Sequence, residues 1–175
     1  MLETLIALGN QTFLVPLLGN HDEMMLNVCR GRKDLLADWL LFGGDATLES
    51  YGSSDPADVW PSHLEFLARC PLAFETARHF FVHANYRADV PLNWLPREVL
   101  LWESLKQYVP GPHVSGKTAI VGHTAQKNGE ILDLGHLKCI DTWCYGDGWL
   151  TALDVESGQC WQVDKQGKAR TQESA

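Results

Sequence analysis

The sequence has no long apolar segment, no excess of basic residues and no CxxC pair of cysteines. A helix that spans a bilayer needs about 18 consecutive apolar residues, and no stretch of this chain approaches that length. Lys and Arg number 14 against 22 Asp and Glu, which gives a formal net charge of −8. Because binding to a nucleic-acid backbone needs concentrated positive charge, this balance argues against a nucleic-acid partner. We expect neither a membrane nor a nucleic acid among the binding partners.

The five cysteines are odd in number and widely spaced, which is typical of free thiols in a reducing compartment. Residues 1–11 lack the basic region and the small-residue cleavage site of a signal peptide. These features predict a cytoplasmic protein. With 175 residues, 45% of them hydrophobic, the chain is long enough for one domain over residues 1–175 with its own core. Its polar end, residues 165–175, is predicted to be a frayed tail.

The spacing of apolar residues predicts helices in the first two thirds of the chain and short strands throughout. Helices are predicted at 2–8, 23–30, 34–42, 60–70 and 96–108. Strands are predicted at 12–18, 72–76, 79–82, 118–121, 130–134, 137–141, 149–155 and 159–164. The first of these is a continuous apolar run and is predicted to be a buried parallel strand, although Pro16 has no backbone N–H to donate.

Polar residues follow three of the predicted strands. Gly19-Asn20-His21-Asp22 follows the first, His83 the third, and Gly122-His123-Thr124 the fourth. In open α/β sheets ligands bind beyond the carboxyl ends of the strands, and neutral imidazoles and amide oxygens are ready metal ligands. Each motif alone also has a purely structural explanation, such as a helix cap or a hydrogen-bonded histidine at a strand end. The three together favour a metal site.

These motifs resemble those of the calcineurin-like metallophosphoesterases. Leu17 to Met24 resembles the GNH[DE] motif, Val82-His83-Ala84-Asn85 the next motif, and Val121 to Thr124 the GHT motif. The chain is most similar to bacterial serine/threonine protein phosphatases of the phosphoprotein phosphatase type and to symmetrical dinucleoside tetraphosphatases. The resemblance implies an α/β fold, a sandwich of two mixed β-sheets flanked by helices.

The resemblance also implies the roles of individual residues. Asn20, His83 and His123 would be metal ligands, and His21 would protonate the leaving oxygen. Such sites hold two divalent metal ions, manganese or iron with zinc, which orient the phosphoryl group and activate a bridging hydroxide. Arg87 and Tyr145 are candidates for binding the substrate, which would be a phosphorylated protein or a small phosphate ester.

Two earlier motifs of the family, GDxHG and GDxxDRG, have no counterpart in the sequence. We therefore expect the N-terminal βαβ unit to be missing, with only part of the two-metal site present and phosphoesterase activity poor. The sequence leaves two alternatives to a protein phosphatase. One is a symmetrical bis(5'-nucleosyl)-tetraphosphatase on the same scaffold, and the other is a non-catalytic remnant.

Overall fold

The computed structural model describes residues 1–172. The chain divides into two compact units, Met1–Pro71 and Leu72–Ala175, called here the first and the second unit. The interpretation of residues 1–175 as one domain stays a prediction. None of the helices in residues 1–172 has the length and apolar character needed to cross a membrane.

The first unit is built from helices. Its α-helices are α1 (Leu2–Gly9), α2 (Asn20–Cys29), α3 (Leu36–Trp39), α4 (Asp45–Ser50) and α5 (Pro61–Arg69). Short 3-10 turns lie at Lys33–Leu35 and Pro56–Asp58, and a π-type turn at Leu40–Gly44 joins α3 to α4. The predicted helices at 2–8, 23–30 and 60–70 are confirmed within a few residues. Pro61 opens α5, where its missing N–H costs no helical hydrogen bond.

The predicted strand at 12–18 is wrong: this segment has no regular secondary structure. Pro16 removes a ladder donor in the middle of the run. Leu18 N donates to the carbonyl of Pro71 at 3.0 Å. Phe13 is 83% exposed, so the start of the apolar run is not buried as a parallel strand requires. The segment is apolar in composition, but of its residues only Leu18, at its end, is buried in the core.

Gly43 and Gly44 interrupt the helical path without ending it. Gly43 takes a φ of 98°, which L-residues avoid, and breaks the helix. A Cβ at Gly44 would lie 2.5 Å from Cδ2 of Trp39, so only glycine allows this close packing on the buried indole. The chain resumes a helix at α4, which the sequence pattern did not predict.

The second unit carries two sheets. Its strands are β1 (Ala73–Glu75), β2 (His79–Val82), β3 (Thr118–Val121), β4 (Leu132–Asp133), β5 (Leu137–Cys139), β6 (Leu150–Leu153), β7 (Cys160–Val163) and β8 (Ala169–Gln172). The first sheet has the order β1-β2-β3-β5-β4, with β2, β3 and β5 parallel and both outer strands antiparallel. This sheet is mixed, as predicted, whereas β6, β7 and β8 of the second sheet pair antiparallel.

The end of the chain departs from the predicted frayed tail. Ala169–Gln172 forms β8, which pairs with β7 in the register Val163↔Ala169 to Cys160↔Gln172. Backbone pairing with β7 orders this polar segment even though its sequence has little apolar content. Residues 173–175 of the predicted tail lie outside the described residues.

The core of the second unit lies where the mixed sheet meets α6 (Arg97–Trp102). Phe80, Val82, Ala119, Val121 and Leu137 of the sheet pack with Val99 and Leu100 of the helix. The helix predicted at 96–108 is shorter than expected because Glu103 takes an extended conformation. The N–H of Leu105 then donates to the Thr124 hydroxyl at 2.8 Å instead of continuing the helix.

Candidate functional site

The carboxyl ends of β2 and β3 bring two of the predicted metal ligands together. His83 follows β2 directly and His123 follows β3 after one glycine. The two strands are adjacent and parallel, so the residues beyond their ends meet at the same edge of the sheet. The imidazole centroids of His83 and His123 lie 5.1 Å apart. Gly122 N donates to the His83 carbonyl at 2.9 Å and holds the two chain segments together.

His123 has an unusual backbone conformation for its residue type. Its φ is 61°, in the left-handed region that costs an L-residue about 1–2 kcal/mol. Its Nε2 donates to the carbonyl of Trp102 at 3.1 Å. Because a carbonyl only accepts, the proton sits on Nε2, and a neutral ring then has its lone pair on Nδ1. Metal-binding histidines are commonly oriented by such a bond from the second ring nitrogen.

Two buried polar side chains fix the loops around these histidines. Asn85 is fully buried, and its amide donates to the carbonyl of Tyr108 at 2.9 Å while its Oδ1 accepts from Tyr86 N at 2.8 Å. Thr124 accepts from Leu105 N and lies 3.1 Å from the Ser104 hydroxyl. Both residues stand inside the quoted motifs, but sequence reasoning assigned them no role. The sequence feature that could have identified them is a polar residue one or two positions after each candidate histidine.

The site of the first unit lies at the start of α2. Asn20 is buried as the first residue of this helix, and His21 next to it is exposed, with its ring 6.2 Å from that of Phe42. Asp22 Oδ2 accepts from Gly19 N at 2.9 Å, which is the helix cap considered as a structural explanation. Burial raises the pKa of Asp22, partly offset by that hydrogen bond and by the nearby His21.

The candidate substrate-binding residues differ in their surroundings. The guanidinium of Arg87 forms a two-pronged ion pair with Glu103 and lies 4.6 Å from the ring centroid of Tyr108. Its pKa is raised, chiefly by the hydrogen bond to Glu103. The pair with Glu103 uses one N–H of each terminal nitrogen, so the remaining N–H groups of Arg87 are those that could contact a phosphate. Tyr145 is 76% exposed, with its ring 6.4 Å from that of Trp143. The roles of both in substrate binding stay predictions.

Three histidines outside the motifs are buried: His63, His79 and His113. His63 bridges the Tyr51 hydroxyl at 2.6 Å and Glu3 Oε1 at 2.7 Å. His113 bonds to the Ser115 hydroxyl and the Val90 carbonyl and packs on Phe80. The partners of these histidines come from distant or flanking positions, so no local sequence motif predicts that the histidines are buried.

The donor set at the sheet edge suits a metal ion in part. Two imidazoles, one of which is oriented by a backbone carbonyl, are suitable ligands for manganese, iron or zinc. Within residues 1–172 no group of three or more His, Cys, Asp or Glu side chains is arranged to hold a metal ion. Asn20 lies in the first unit, and the set of Asn20, His83 and His123 stays a prediction. All five cysteines are free thiols.

Comparison with known proteins reveals a likeness in structure. No protein-family model and no curated protein matches the sequence. A crystal structure of a protein suggested to be a diadenosine tetraphosphatase is similar to this chain, with a TM-score of 0.55 and 17% sequence identity. The similar region covers 84% of this chain and 66% of that one. At this identity the likeness establishes the fold alone. The expected fold class is thereby confirmed: the chain has an α/β fold with two β-sheets and flanking helices.

Proposed function

We propose that this chain is a metal-dependent phosphoesterase, a hydrolase of phosphate esters or phosphoanhydrides. The observation that carries the proposal is the meeting of His83 and His123, 5.1 Å apart, at the carboxyl edge of two parallel strands. This is the position where open α/β sheets bind their ligands. The fold likeness adds support, because the similar structure is that of a protein suggested to be a diadenosine tetraphosphatase.

In this proposal Asn20, His83 and His123 hold divalent metal, with manganese or iron with zinc as the identities that the sequence resemblance implies. When bound, the metal supplies Lewis-acid chemistry and lowers the pKa of water. The carbonyl of Trp102 holds the His123 ring in one tautomer and orientation. His21 is exposed, so it can exchange protons with solvent and deliver one to a leaving oxygen.

Two substrate classes have support of different kinds. The motifs around Asn20, His83 and His123 favour a serine/threonine protein phosphatase by their resemblance to that group. The fold likeness favours a dinucleoside tetraphosphatase to a similar degree. A cytoplasmic location belongs to the same proposal, because five free thiols suit a reducing compartment.

The test combines metal binding with turnover. Manganese and zinc binding is measured by titration calorimetry, and hydrolysis of p-nitrophenyl phosphate is measured with manganese and with a chelator. We expect weak turnover that the chelator abolishes, and a loss of metal affinity on the order of tenfold to a hundredfold in His83→Ala and His123→Ala.

His136→Ala is the matched control. His136 also bonds to a carbonyl, that of Pro110 at 3.0 Å, but it precedes β5 and so lies at the opposite end of the parallel strands. Its variant is expected to bind metal as the unmodified chain does. Equal metal affinity and turnover in all four proteins would overturn the proposed site.

A further inference from the structure

Both candidate metal ligands of the second unit belong to loops that bond to the same end of one helix. The last carbonyls of an α-helix have no N–H partner within the helix, so they are open to other donors. The carbonyl of Leu100 accepts from the backbone N–H of Ala84, the residue after His83, at 2.8 Å. The carbonyl of Trp102 accepts from His123 Nε2 at 3.1 Å. The C-terminal end of α6 is therefore a common support of the loops after β2 and β3.

Glu103 ends α6 in a way that directs these two carbonyls to the loops. It takes an extended conformation, with φ of −76° and ψ of 118°. In a continued helix, Ser104 N and Lys106 N would donate to the same two carbonyls. Instead, Ser104 N donates to Gln107 Oε1 at 3.0 Å and Lys106 N donates to Ser104 Oγ at 3.1 Å. The backbone conformation of Glu103 thus decides which donors the end of the helix receives.

An ion pair holds Glu103 against the loop that contains His83. The guanidinium of Arg87 forms a two-pronged bond with the Glu103 carboxylate, in which Nη2 lies 2.6 Å from Oε1. The side chains of Arg87 and Glu103 are 33% and 20% exposed, so the pair is largely shielded from water. A two-pronged bond fixes the orientation of its partners as well as their distance. Arg87 therefore ties the loop after β2 to the residue that turns the chain out of α6.

We propose that the Arg87–Glu103 ion pair positions both histidines of the candidate metal site, by fixing the C-terminal end of α6 that their loops bond to. Arg87 and Glu103 are positioning residues in this inference, because they act through backbone carbonyls and not on the metal. The inference rests on the proposed phosphoesterase function and gives Arg87 a role besides the substrate contact predicted from sequence. Thr124 supports the same arrangement, because its hydroxyl accepts a backbone N–H from the chain beyond Glu103 at 2.8 Å.

The experiment measures manganese and zinc affinity of the full chain by titration calorimetry in Arg87→Ala and Glu103→Ala. We expect each variant to lose about tenfold in affinity, as is typical when a group that orients a metal ligand is removed. The electrostatic effects of the two charges on a bound cation have opposite signs, because removing Arg87 favours the cation and removing Glu103 disfavours it. A loss in both variants therefore identifies positioning, and tighter metal binding by Arg87→Ala would overturn the proposal.

Unchanged metal affinity in the two variants also overturns the proposal. Binding of inorganic phosphate in the presence of a chelator then shows what Arg87 does. If phosphate binds less tightly to Arg87→Ala while metal affinity is unchanged, Arg87 has only the substrate contact predicted from sequence.

A conservative variant and a second ion pair provide the controls. Glu103→Gln keeps the length of the side chain and an oxygen acceptor, so it should lose less metal affinity than Glu103→Ala. Lys117→Ala and Glu75→Ala break another ion pair of the same unit, in which Nζ lies 2.6 Å from Oε2. Because Lys117 precedes β3, this pair lies at the opposite end of the strand from His123, and its variants should bind metal as the unmodified chain does. Urea unfolding shows that all variants compared are folded.

Nitrogen-15 NMR of the His123 imidazole tests the positioning without metal, with His123→Ala identifying its resonances. In the unmodified chain the proton is on Nε2, and in Arg87→Ala and Glu103→Ala we expect part of the population to carry it on Nδ1. A chain that binds no metal refutes the phosphoesterase function, and the NMR result still decides the positioning. His123 resonances that are identical in the unmodified chain and both variants refute the positioning, even if p-nitrophenyl phosphate is hydrolysed.

Discussion

The two units of the molecule position their candidate functional residues by different means. In the second unit, His83 and His123 are set by the parallel strands β2 and β3, whose paired backbones bring sequence positions 40 residues apart to one edge. In the first unit, Asn20 and His21 are set by the start of α2 alone, with Asp22 capping the helix through Gly19 N. Sheet topology makes residues converge over long sequence distances, whereas a helix start arranges only neighbours.

The units also differ in where the backbone is strained. Within residues 1–172 the non-glycine residues with positive φ are His123 and Trp143, both in the second unit. In the first unit positive φ falls on glycines: Gly31, Gly43 and Gly52. Glycine adopts this conformation without a steric penalty, so the turns of the first unit carry little backbone strain. The second unit places two ring-bearing residues in strained positions beyond adjacent strands, and one of them, His123, belongs to the proposed metal site.

The largest expected effect concerns the core beneath the sheet edge. Phe80→Ala should lower the free energy of unfolding by about 3–5 kcal/mol, because Phe80 is fully buried and packs on Tyr86 and His113. Phe13→Ala removes the same ring from the first unit where it is 83% exposed, and it should change the free energy by less than about 0.5 kcal/mol. Urea unfolding followed by circular dichroism measures both. Similar losses in the two variants would contradict the assigned core.

A smaller effect is expected from crowding the turn after β5. In Gly148→Ala the new Cβ would lie 1.9 Å from the Thr142 carbonyl oxygen, which is backbone and cannot move aside cheaply. We expect a loss of about 1–3 kcal/mol in thermal or urea unfolding. Gly111→Ala is the control, because its Cβ would meet open space. The turn geometry would be wrong if both alanines were tolerated equally.

The strain at His123 gives a further test of the contrast between the units. His123→Gly should be more stable than His123→Ala by about 1 kcal/mol, because both variants lack the ring and only glycine accepts a φ of 61° freely. The difference between the two midpoints of urea unfolding isolates the backbone term. Metal affinity should fall equally in both variants. Equal stability would show that the backbone of residue 123 is not held in the left-handed region.

The smallest effect concerns pH and the helix start of the first unit. Burial raises the pKa of Asp22 above its unfolded value of about 3.9, so its favourable contribution is complete below about pH 4 and is lost as pH rises through the folded pKa. Asp22→Asn keeps an oxygen acceptor for Gly19 N but cannot ionise. Its stability relative to the unmodified chain should therefore rise as pH increases from 4 to 7.

Asp45→Asn provides the control for the pH measurement, because Asp45 is an exposed acid in the first turn of α4. Thermal unfolding at a series of pH values measures both variants. If the advantage of Asp22→Asn instead grew as pH fell, the sign of the assigned pKa change would be wrong.

Local sequence patterns predicted much of the second unit. The strands at 79–82 and 118–121 have the predicted bounds, and β4 to β7 lie inside their predicted ranges, whereas β8 was not predicted. Short apolar runs bounded by glycine carry this information locally. The same reasoning failed at 12–18, where an apolar run without strand pairing stayed irregular. It also failed at 96–108, where a hydroxyl at residue 124 captures the N–H that would continue the helix.

Of the candidate site, sequence motifs predicted Asn20, His83 and His123 as one set of ligands, and the structure brings the rings of His83 and His123 together. The motifs did not predict the groups that hold these two histidines. The Trp102 carbonyl that orients His123, the Glu103 carboxylate that engages Arg87, and the buried Asn85 depend on contacts across 16 to 23 residues. Such partners leave no periodic pattern in the sequence, because each contact joins residues that are distant in the chain and become neighbours only when the protein folds.

The sequence by itself determined that β1 to β7 of the second unit are strands and which polar residues follow β2 and β3, because apolar alternation and glycine breaks act over a few residues. Only the tertiary structure decided that His63, His79 and His113 are buried, that residues 169–172 form a strand, and that Lys127 stands over Trp143. These features arise from the pairing of distant segments, and their energies come from burial and from backbone hydrogen bonds between partners that the local sequence does not specify.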